Sequence, residues 1–248
     1  MNIDDIDFRS DGSKSVLLVL SGPGGSGKST LIKKWLDQDK TIGYVKNVTT
    51  RAKRKPDAGV DDHDFFEFVS VESFKQYVVN GELVQWSNPS EGYYSGTLLK
   101  PIKEAISFNK DLLLDYTPQL FLNFKRMFRS RVVSVFIVPP SMAVLKKRLQ
   151  NRGTEDGKKF QMKYKMGVQD ISYVNEHDYY VINDDLDETL TILQAIRTAE
   201  KAKLANQIGI EERFLAVTNQ SMLFYYDPTD ARLAAMDEAT CHGKKDFS

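Results

Sequence analysis

The sequence predicts an α/β fold in which a parallel sheet is flanked by helices. Two observations carry that prediction. Residues 16–36 run VLLVLSGPGGSGKSTLIKKWL, an apolar strand-sized run, a glycine-rich turn and a helical pattern in direct succession. Beyond it, short apolar β-rich runs keep alternating with segments of helical periodicity, the pattern of strands joined by crossover helices. Within the first run Gly22, Pro23, Gly24, Gly25, Ser26, Gly27, Lys28 and Ser29 spell G-x-x-x-x-G-K-[ST], the phosphate-binding P-loop, so the sheet is of P-loop NTPase type. Its glycines let the backbone turn tightly and approach a polyphosphate, with N–H groups and a helix N-terminus facing the anion. Lys28 would reach the β- and γ-phosphates and the Ser29 hydroxyl would ligate Mg²⁺. A glycine-rich turn matching by chance would not also be framed by a strand before and a helix after.

The elements follow in order. Val16–Leu20 read as a buried strand and Thr30–Leu36 as the helix after the loop. Gly43–Val48 form a second strand, residues 49–64 a polar loop and Phe65–Val69 another strand. Ser70 caps a helix over Val71–Asn80, which Gly81 ends. Leu83–Trp86 and Tyr93–Tyr94 are short strands outside the main sheet, and Pro101–Phe108 is a helix. Leu112–Leu114 make a core strand ending in Asp115, and Val132–Val138 a second fully apolar one, stopped by Pro139 and Pro140. Ser141 caps a helix running to about Asn151, residues 152–158 form a joint, and a basic helix covers about Lys159–Asn175. Tyr179–Ile182 are the last core strand and Asp187–Ala205 a long amphipathic helix. Residues 1–14 read as a polar arm and 206–248 as a C-terminal extension with a strand at Met222–Tyr226.

Composition narrows the function classes. A formal net charge of zero gives no field suited to nucleic acid or an anionic membrane. No apolar run reaches membrane-spanning length, and the acidic start has no secretory pattern. One cysteine, Cys241, excludes an intramolecular disulfide and suits the reducing cytoplasm. Three scattered histidines build no zinc site, so the expected metal is Mg²⁺ on oxygen ligands. The expected partners are therefore small-molecule nucleotides, with no membrane and no nucleic acid; oligomeric state is not legible.

Further local signals line up in one order. After the P-loop come Thr49-Thr50-Arg51 with Arg54, FFEFVS at 65–70, GELVQW at 81–86 and Tyr93-Tyr94. LLLD at 112–115, FIVPPS at 136–141, RLQNRGT at 148–154 and YYVINDDLD at 179–187 complete the series. Over residues 15–205 this series resembles the guanylate kinase family, P-loop enzymes that move the γ-phosphoryl of ATP to GMP. The resemblance implies a small mixed acceptor-binding subdomain at about 44–100 and a helical lid at about 150–175. It implies an ATP site of Gly22, Pro23, Gly24, Gly25, Ser26, Gly27, Lys28, Ser29 and Thr30, joined by Arg148 and by Asn183 beside the adenine. It makes Lys28, Arg51, Arg152 and Lys163 the catalytic cations and Ser29 and Asp115 the Mg²⁺ residues, with Asp115 ordering the metal's water shell. Phosphoryl transfer asks for positioning and for cations arriving from several directions, which this set supplies. Asp115 also reads as a strand-end turn residue, Asp184 or Asp185 as a helix N-cap, and a lone exposed arginine as a solvated charge.

The acceptor side departs from the family pattern. The resemblance places Asn47, Arg51, Arg54, Asp57, Phe66, Gln85, Tyr94, Thr97, Asp115 and Thr117 around the acceptor, with Arg51 and Arg54 on its phosphate. Gln85 and Thr117 stand where the family has two guanine-reading carboxylates, and Asn47 where it has a serine. Phe66 replaces a tyrosine, Asp57 a glutamate and Lys163 a lid arginine, and Ser95-Gly96-Thr97 rearranges the Gly-Thr/Ser pair. A carboxylate suits guanine because N1–H and N2–H are both donors, and Gln85 can still accept one of them. Three readings stay open: a GMP/dGMP kinase, the same transfer to another nucleotide or a ribose 1,5-bisphosphate-like sugar phosphate, and a non-catalytic interaction module.

Overall fold

A computed structural model describes residues 13–53, 61–90, 93–151 and 157–207. Strand β1 (Leu17–Ser21) is buried along its whole length at the centre of a five-stranded parallel sheet. The sheet runs β2 (Gly43–Tyr44), β7 (Leu112–Asp115), β1, β8 (Val132–Val138), β9 (Tyr179–Ile182). Register sets Leu20 beside Asp115 and Ser21 beside Phe136, so three carboxyl ends meet where the P-loop begins. Open α/β sheets present their ligand crevice at that edge.

Alternation along β1 feeds two core layers. Leu18 and Leu20 pack with Leu31, Ile32 and Trp35 of helix α1 (Lys28–Gln38) and with Leu190 and Leu193 of α8 (Leu186–Ala202). Leu17 and Val19 face Ile102 of α4 (Leu99–Ser107) and Phe121 and Phe124 of α5 (Pro118–Phe128). Each such side chain contributes about 1.5–3 kcal/mol when fully buried. A partly buried ion cluster ties the layers' far end: Arg197 reaches the buried Asp111 and the half-buried Asp39, each at 2.7 Å, and Asp111 accepts from Val16 N at 2.9 Å.

A second, mixed sheet runs in the order β4 (Phe66–Phe68), β3 (Asn47–Thr49), β6 (Tyr93–Leu98), β5 (Leu83–Ser90). Here β3 pairs parallel with β4, while β6 is antiparallel to both β3 and β5. Helix α2 (Asp62–Phe65) precedes β4, and α3 (Val71–Val79) is capped by Ser70, whose side chain accepts from Ser73 N, and closed at Gly81 with φ +65°. Helices α6 (Met142–Asn151) and α7 (Gly157–Ile171) form the remaining arm over the sheet's carboxyl edge.

The expected single strand over Gly43–Val48 is two strands in different sheets. Val45 is still bound to the first sheet through Leu113 O and buried in its core, and Asn47 already pairs in the second. The polar loop of 49–64 contains α2, started by a capping box of Asp61 and Asp64. Helix α5 had no counterpart among the expected elements. Its signals are Pro118 at the first helical position and apolar residues at 121, 124 and 128. The expected joint 152–158 lies mostly outside the described residues, as do the N-terminal arm and the extension with its strand at 222–226. Among the described residues no helix is long and apolar enough to cross a membrane.

Candidate active site

The loop after β1 has a backbone that only glycine accommodates. Gly22, Gly25 and Gly27 have φ of +132°, +90° and +97°. A Cβ on Gly22 would sit 2.2 Å from Ile137 O, so β8 itself closes that position to any side chain. Gly27 opens α1 with no side-chain cap, leaving the first-turn N–H groups to an anion. Lys28 Nζ rests on the carbonyls of Gly22 at 2.9 Å and Pro23 at 3.2 Å, within the loop it would leave to reach a phosphate.

Two residues far along the chain hold the loop from behind. Asn183, at 2% exposure, donates from Nδ2 to Ser26 O at 2.7 Å, and Arg148 donates to Asn183 O at 3.0 Å and Ser26 O at 3.4 Å. Asn183 Nδ2 and Arg148 Nη1 thus hold the loop at Ser26 O, Asn183 Oδ1 is buried without a hydrogen-bond partner among the described residues, and neither residue lines the cleft in front of the loop. Asp185 takes the helix N-cap, accepting from Asp187 N and Glu188 N.

That cleft has a volume of about 610 Å³ and joins the P-loop to the second sheet. On the loop side it is lined by Gly22, Gly24, Gly25, Gly27, Lys28 and Ser29, and Asp115 stands beside them at the end of β7. On the side of the second sheet strand register makes a polar surface. Asn47, Thr97 and Gln85 form one row across β3, β6 and β5, and Thr49, Ser95 and Ser87 form the next. All six line the cleft, while in the intervening row of Val48, Gly96 and Trp86 the Trp86 ring packs edge-on against Phe74, centroids 6.5 Å apart. The Thr97 hydroxyl donates to Asn47 Oδ1 at 2.5 Å.

Arg51 projects from the end of β3 and is clamped. Its Nη1 lies 2.7 Å from Asp62 Oδ2 and donates to Ala52 O at 2.9 Å, and its guanidinium carbon sits 4.5 Å over the Phe66 ring. Nη2 is buried and has no hydrogen-bond partner among the described residues, so one guanidinium face is left for an anion. The aromatic ring at position 66 therefore supports Arg51 by a cation–π contact.

Tyr94 lies outside the lining. Its ring stacks on Phe74 at 5.4 Å, and its backbone does the positioning, with Tyr94 O accepting from Thr50 N at 3.0 Å and Thr49 Oγ1 at 2.9 Å. Tyr93, its neighbour on the alternate face, lines the cleft instead. Lys163, Met162 and Met166 of α7 line the opposite wall, as does Asp170. Asp170 is buried, which raises its pKa; Gln119 Nε2 at 3.1 Å and the Lys28 charge oppose that rise. Thr117 lines the cleft at the start of α5. Pro23, Ser26 and Thr30 are in the loop and helix but outside the lining, and Arg54, Asp57 and Arg152 lie outside the described residues. Sequence reasoning missed Asp62, Tyr93, Tyr116 and Asp170; the first two were within reach of a capping and an alternation argument, the others depend on tertiary packing.

The donor set fits an ATP–Mg²⁺ pair. Gly22, Gly25 and Gly27 of the cradle take no side chain without strain, and the hard oxygens of Ser29 and Asp115 suit Mg²⁺ rather than a softer ion. Comparison with known proteins identifies the lineage. A family model described as guanylate kinase matches residues 14–200. The chain belongs to the guanylate kinase family. A guanylate kinase of Anaplasma phagocytophilum is 35% identical over 201 residues, covering 81% of this chain and 94% of its own. One of Zymomonas mobilis is 34% identical over 198 residues, covering 79% and 89%. The crystal structure of guanylate kinase from Anaplasma phagocytophilum superposes with a TM-score of 0.67 at 30% identity, over 82% of this chain and 95% of that one. Guanylate kinase relatives thus match the sheet, the acceptor region and the α6–α7 arm together.

Proposed function

We propose that this protein transfers the γ-phosphoryl group of ATP to GMP, giving ADP and GDP, with Mg²⁺ as cofactor. The observation that carries the proposal is one continuous cleft with a P-loop at one end and an arginine held by a carboxylate and an aromatic ring at the other. Gly22–Thr30 receive the ATP phosphates on backbone N–H groups, and Arg148 and Asn183 keep that loop in shape. Arg51, with Arg54, binds the acceptor phosphate through a bidentate fork. A GMP phosphate oxygen attacks the γ-phosphorus, the bond to the β–γ bridging oxygen breaks, and ADP leaves. Lys28 moves from the Gly22 and Pro23 carbonyls onto the β- and γ-phosphates, while Lys163 and Arg152 bring positive charge from the lid. When bound, Mg²⁺ at Ser29 and Asp115 supplies charge neutralisation between the phosphates.

In this reading residues 44–100 are the acceptor-binding part, 150–175 the lid and 206–248 a C-terminal extension outside the reaction's assigned parts. The protein works in the cytoplasm on small nucleotides. A specific observation favours a second reading, the same transfer to another acceptor. The row that faces the acceptor, Asn47–Thr97–Gln85, is wholly uncharged. ADP release measured with ATP·Mg²⁺ across all ribo- and deoxynucleoside monophosphates and ribose 1,5-bisphosphate separates the two. GMP or dGMP at the head of the series supports the first reading, and any other leading acceptor overturns it in favour of the second.

A further inference from the structure

The floor of the acceptor half holds two buried side chains, Gln85 and Tyr116, whose polar atoms are left without partners among the described residues. Gln85 is 8% exposed, and neither its Oε1 nor its Nε2 has a hydrogen-bond partner among the described residues. Tyr116, 3% exposed, stands beside it with a hydroxyl that lies near Gln85 and Thr97 without completing a bond of ordinary geometry. Buried polar atoms left unpaired are costly, so a pair of them at the wall of a cleft points to a ligand that completes them. Burial also raises the Tyr116 pKa, which keeps the phenol neutral.

The charged groups of the cleft are elsewhere. Among the described lining residues the carboxylates are Asp115 and Asp170. Asp115 ends β7 beside Leu20, at the P-loop end of β1. Asp170 is on the α7 wall, bonded to Gln119 and near Lys28. The row that holds Gln85, with Asn47 and Thr97, carries no charge, and the chemistry of Gln85 is that of an amide: one acceptor beside one donor.

We propose that Gln85, backed by Tyr116, bonds the edge of a purine monophosphate at positions 1 and 6 and leaves position 2 unread, so that the 2-amino group of GMP is dispensable and IMP is an acceptor as well. This rests on the GMP kinase reading above. Oε1 accepts from N1–H and Nε2 donates to O6, two bonds that guanine and hypoxanthine offer alike. A carboxylate in the same place has only acceptors and would need two donors, N1–H and N2–H, which hypoxanthine lacks. Turned half a revolution about its last side-chain bond, the amide also meets the inverse edge of adenine. The claim therefore concerns position 2 and not position 6.

The test compares kcat/KM for GMP and IMP, with ATP·Mg²⁺, in the full-length protein and in Gln85→Glu. A site built to bond a substrate N–H rejects the analogue lacking it by large factors, whereas an unread position is nearly indifferent. The expected result is IMP within about tenfold of GMP in the unaltered protein, and a GMP preference widened by about tenfold or more in Gln85→Glu. A preference for GMP beyond about a hundredfold in the unaltered protein would overturn the proposal, and intermediate preferences are decided by Gln85→Glu: widening supports it, no change refutes it. Should Gln85→Glu fail to fold, Tyr116→Phe takes its place, with an equal loss toward GMP and IMP expected and a loss confined to GMP counting against the proposal. Absence of any turnover would refute the kinase reading alone, because the same GMP–IMP comparison made as binding by calorimetry still decides whether position 2 is read.

Discussion

Arg51 Nη1 meets Asp62 Oδ2 at 2.7 Å, and both side chains are nearly removed from solvent, at 13% and 14% exposure. Asp62 opens the four-residue helix α2, whose capping box fixes it in place. The pair therefore sets where the guanidinium points, and in the proposed reaction Asp62 acts on the acceptor phosphate through Arg51. Losing one partner of such a pair leaves a charge buried without compensation. Asp62→Asn is expected to raise KM for GMP by about tenfold, on the order of 1.4 kcal/mol, with KM for ATP unchanged. Steady-state kinetics with each substrate varied in turn checks this; an unchanged KM for GMP would show that Arg51 needs no such partner.

The Asn183 amide and the Ser26 carbonyl, 2.7 Å apart, join the end of β9 to the P-loop across 157 positions of sequence. Asn183→Ala removes that bond and the buried filling behind Gly27, whose hypothetical Cβ would fall 2.2 Å from Asn183 Nδ2. A loss of about 1–3 kcal/mol in stability is expected. The kinetic effect falls on ATP, with KM raised roughly fivefold by a slackened loop at a cost of about 1 kcal/mol. Urea unfolding and ATP titration measure the two, and an effect confined to GMP would contradict this assignment.

Stability should fall in mild acid through His177. The ring is buried against Phe121, 4.2 Å centroid to centroid, and Phe136 at 5.0 Å, and this burial lowers its pKa below the ordinary 6.5, against the opposing hydrogen bond of Nδ1 to Tyr173 O. A folded pKa below the unfolded one means that the unfolded chain binds the proton more readily. The stabilisation is complete above about pH 6.5 and is lost as pH falls through the folded value. The urea midpoint of the unaltered protein is expected to drop between about pH 7.5 and 5.5. In His177→Phe the dependence should be shallower, and an identical slope would remove His177 from the account.

Legibility in the sequence tracked how local each determinant is. Val132–Val138 and Tyr179–Ile182 are strands over the predicted residues because apolar composition and the flanking breakers act within a few positions. The P-loop is equally self-contained, its glycines and Lys28 being consecutive. What escaped depends on partners distant in the chain. The strand expected at 43–48 divides because Val45 is held by Leu113 and Asn47 by Thr97, a choice between two sheets that neither residue's identity reveals. Tyr93 faces the cleft and Tyr94 does not because β6 pairs Ser95 with Thr49 and Ser87, a register fixed in space. Gln85 was legible as a departure from family pattern, but its unpaired amide became visible only with the neighbouring Tyr116.

The central claim is that a single cleft carries a γ-phosphoryl group from ATP on the P-loop to GMP on the Arg51 side. Its most direct test follows both products by ion-exchange chromatography after mixing ATP·Mg²⁺ and GMP with the protein and with Lys28→Ala. The account predicts ADP and GDP in equal amounts from the unaltered protein, and a rate lower by at least about a thousandfold in Lys28→Ala, roughly 4 kcal/mol of transition-state stabilisation. ADP formed without GDP, or turnover unaffected by Lys28→Ala, would contradict it.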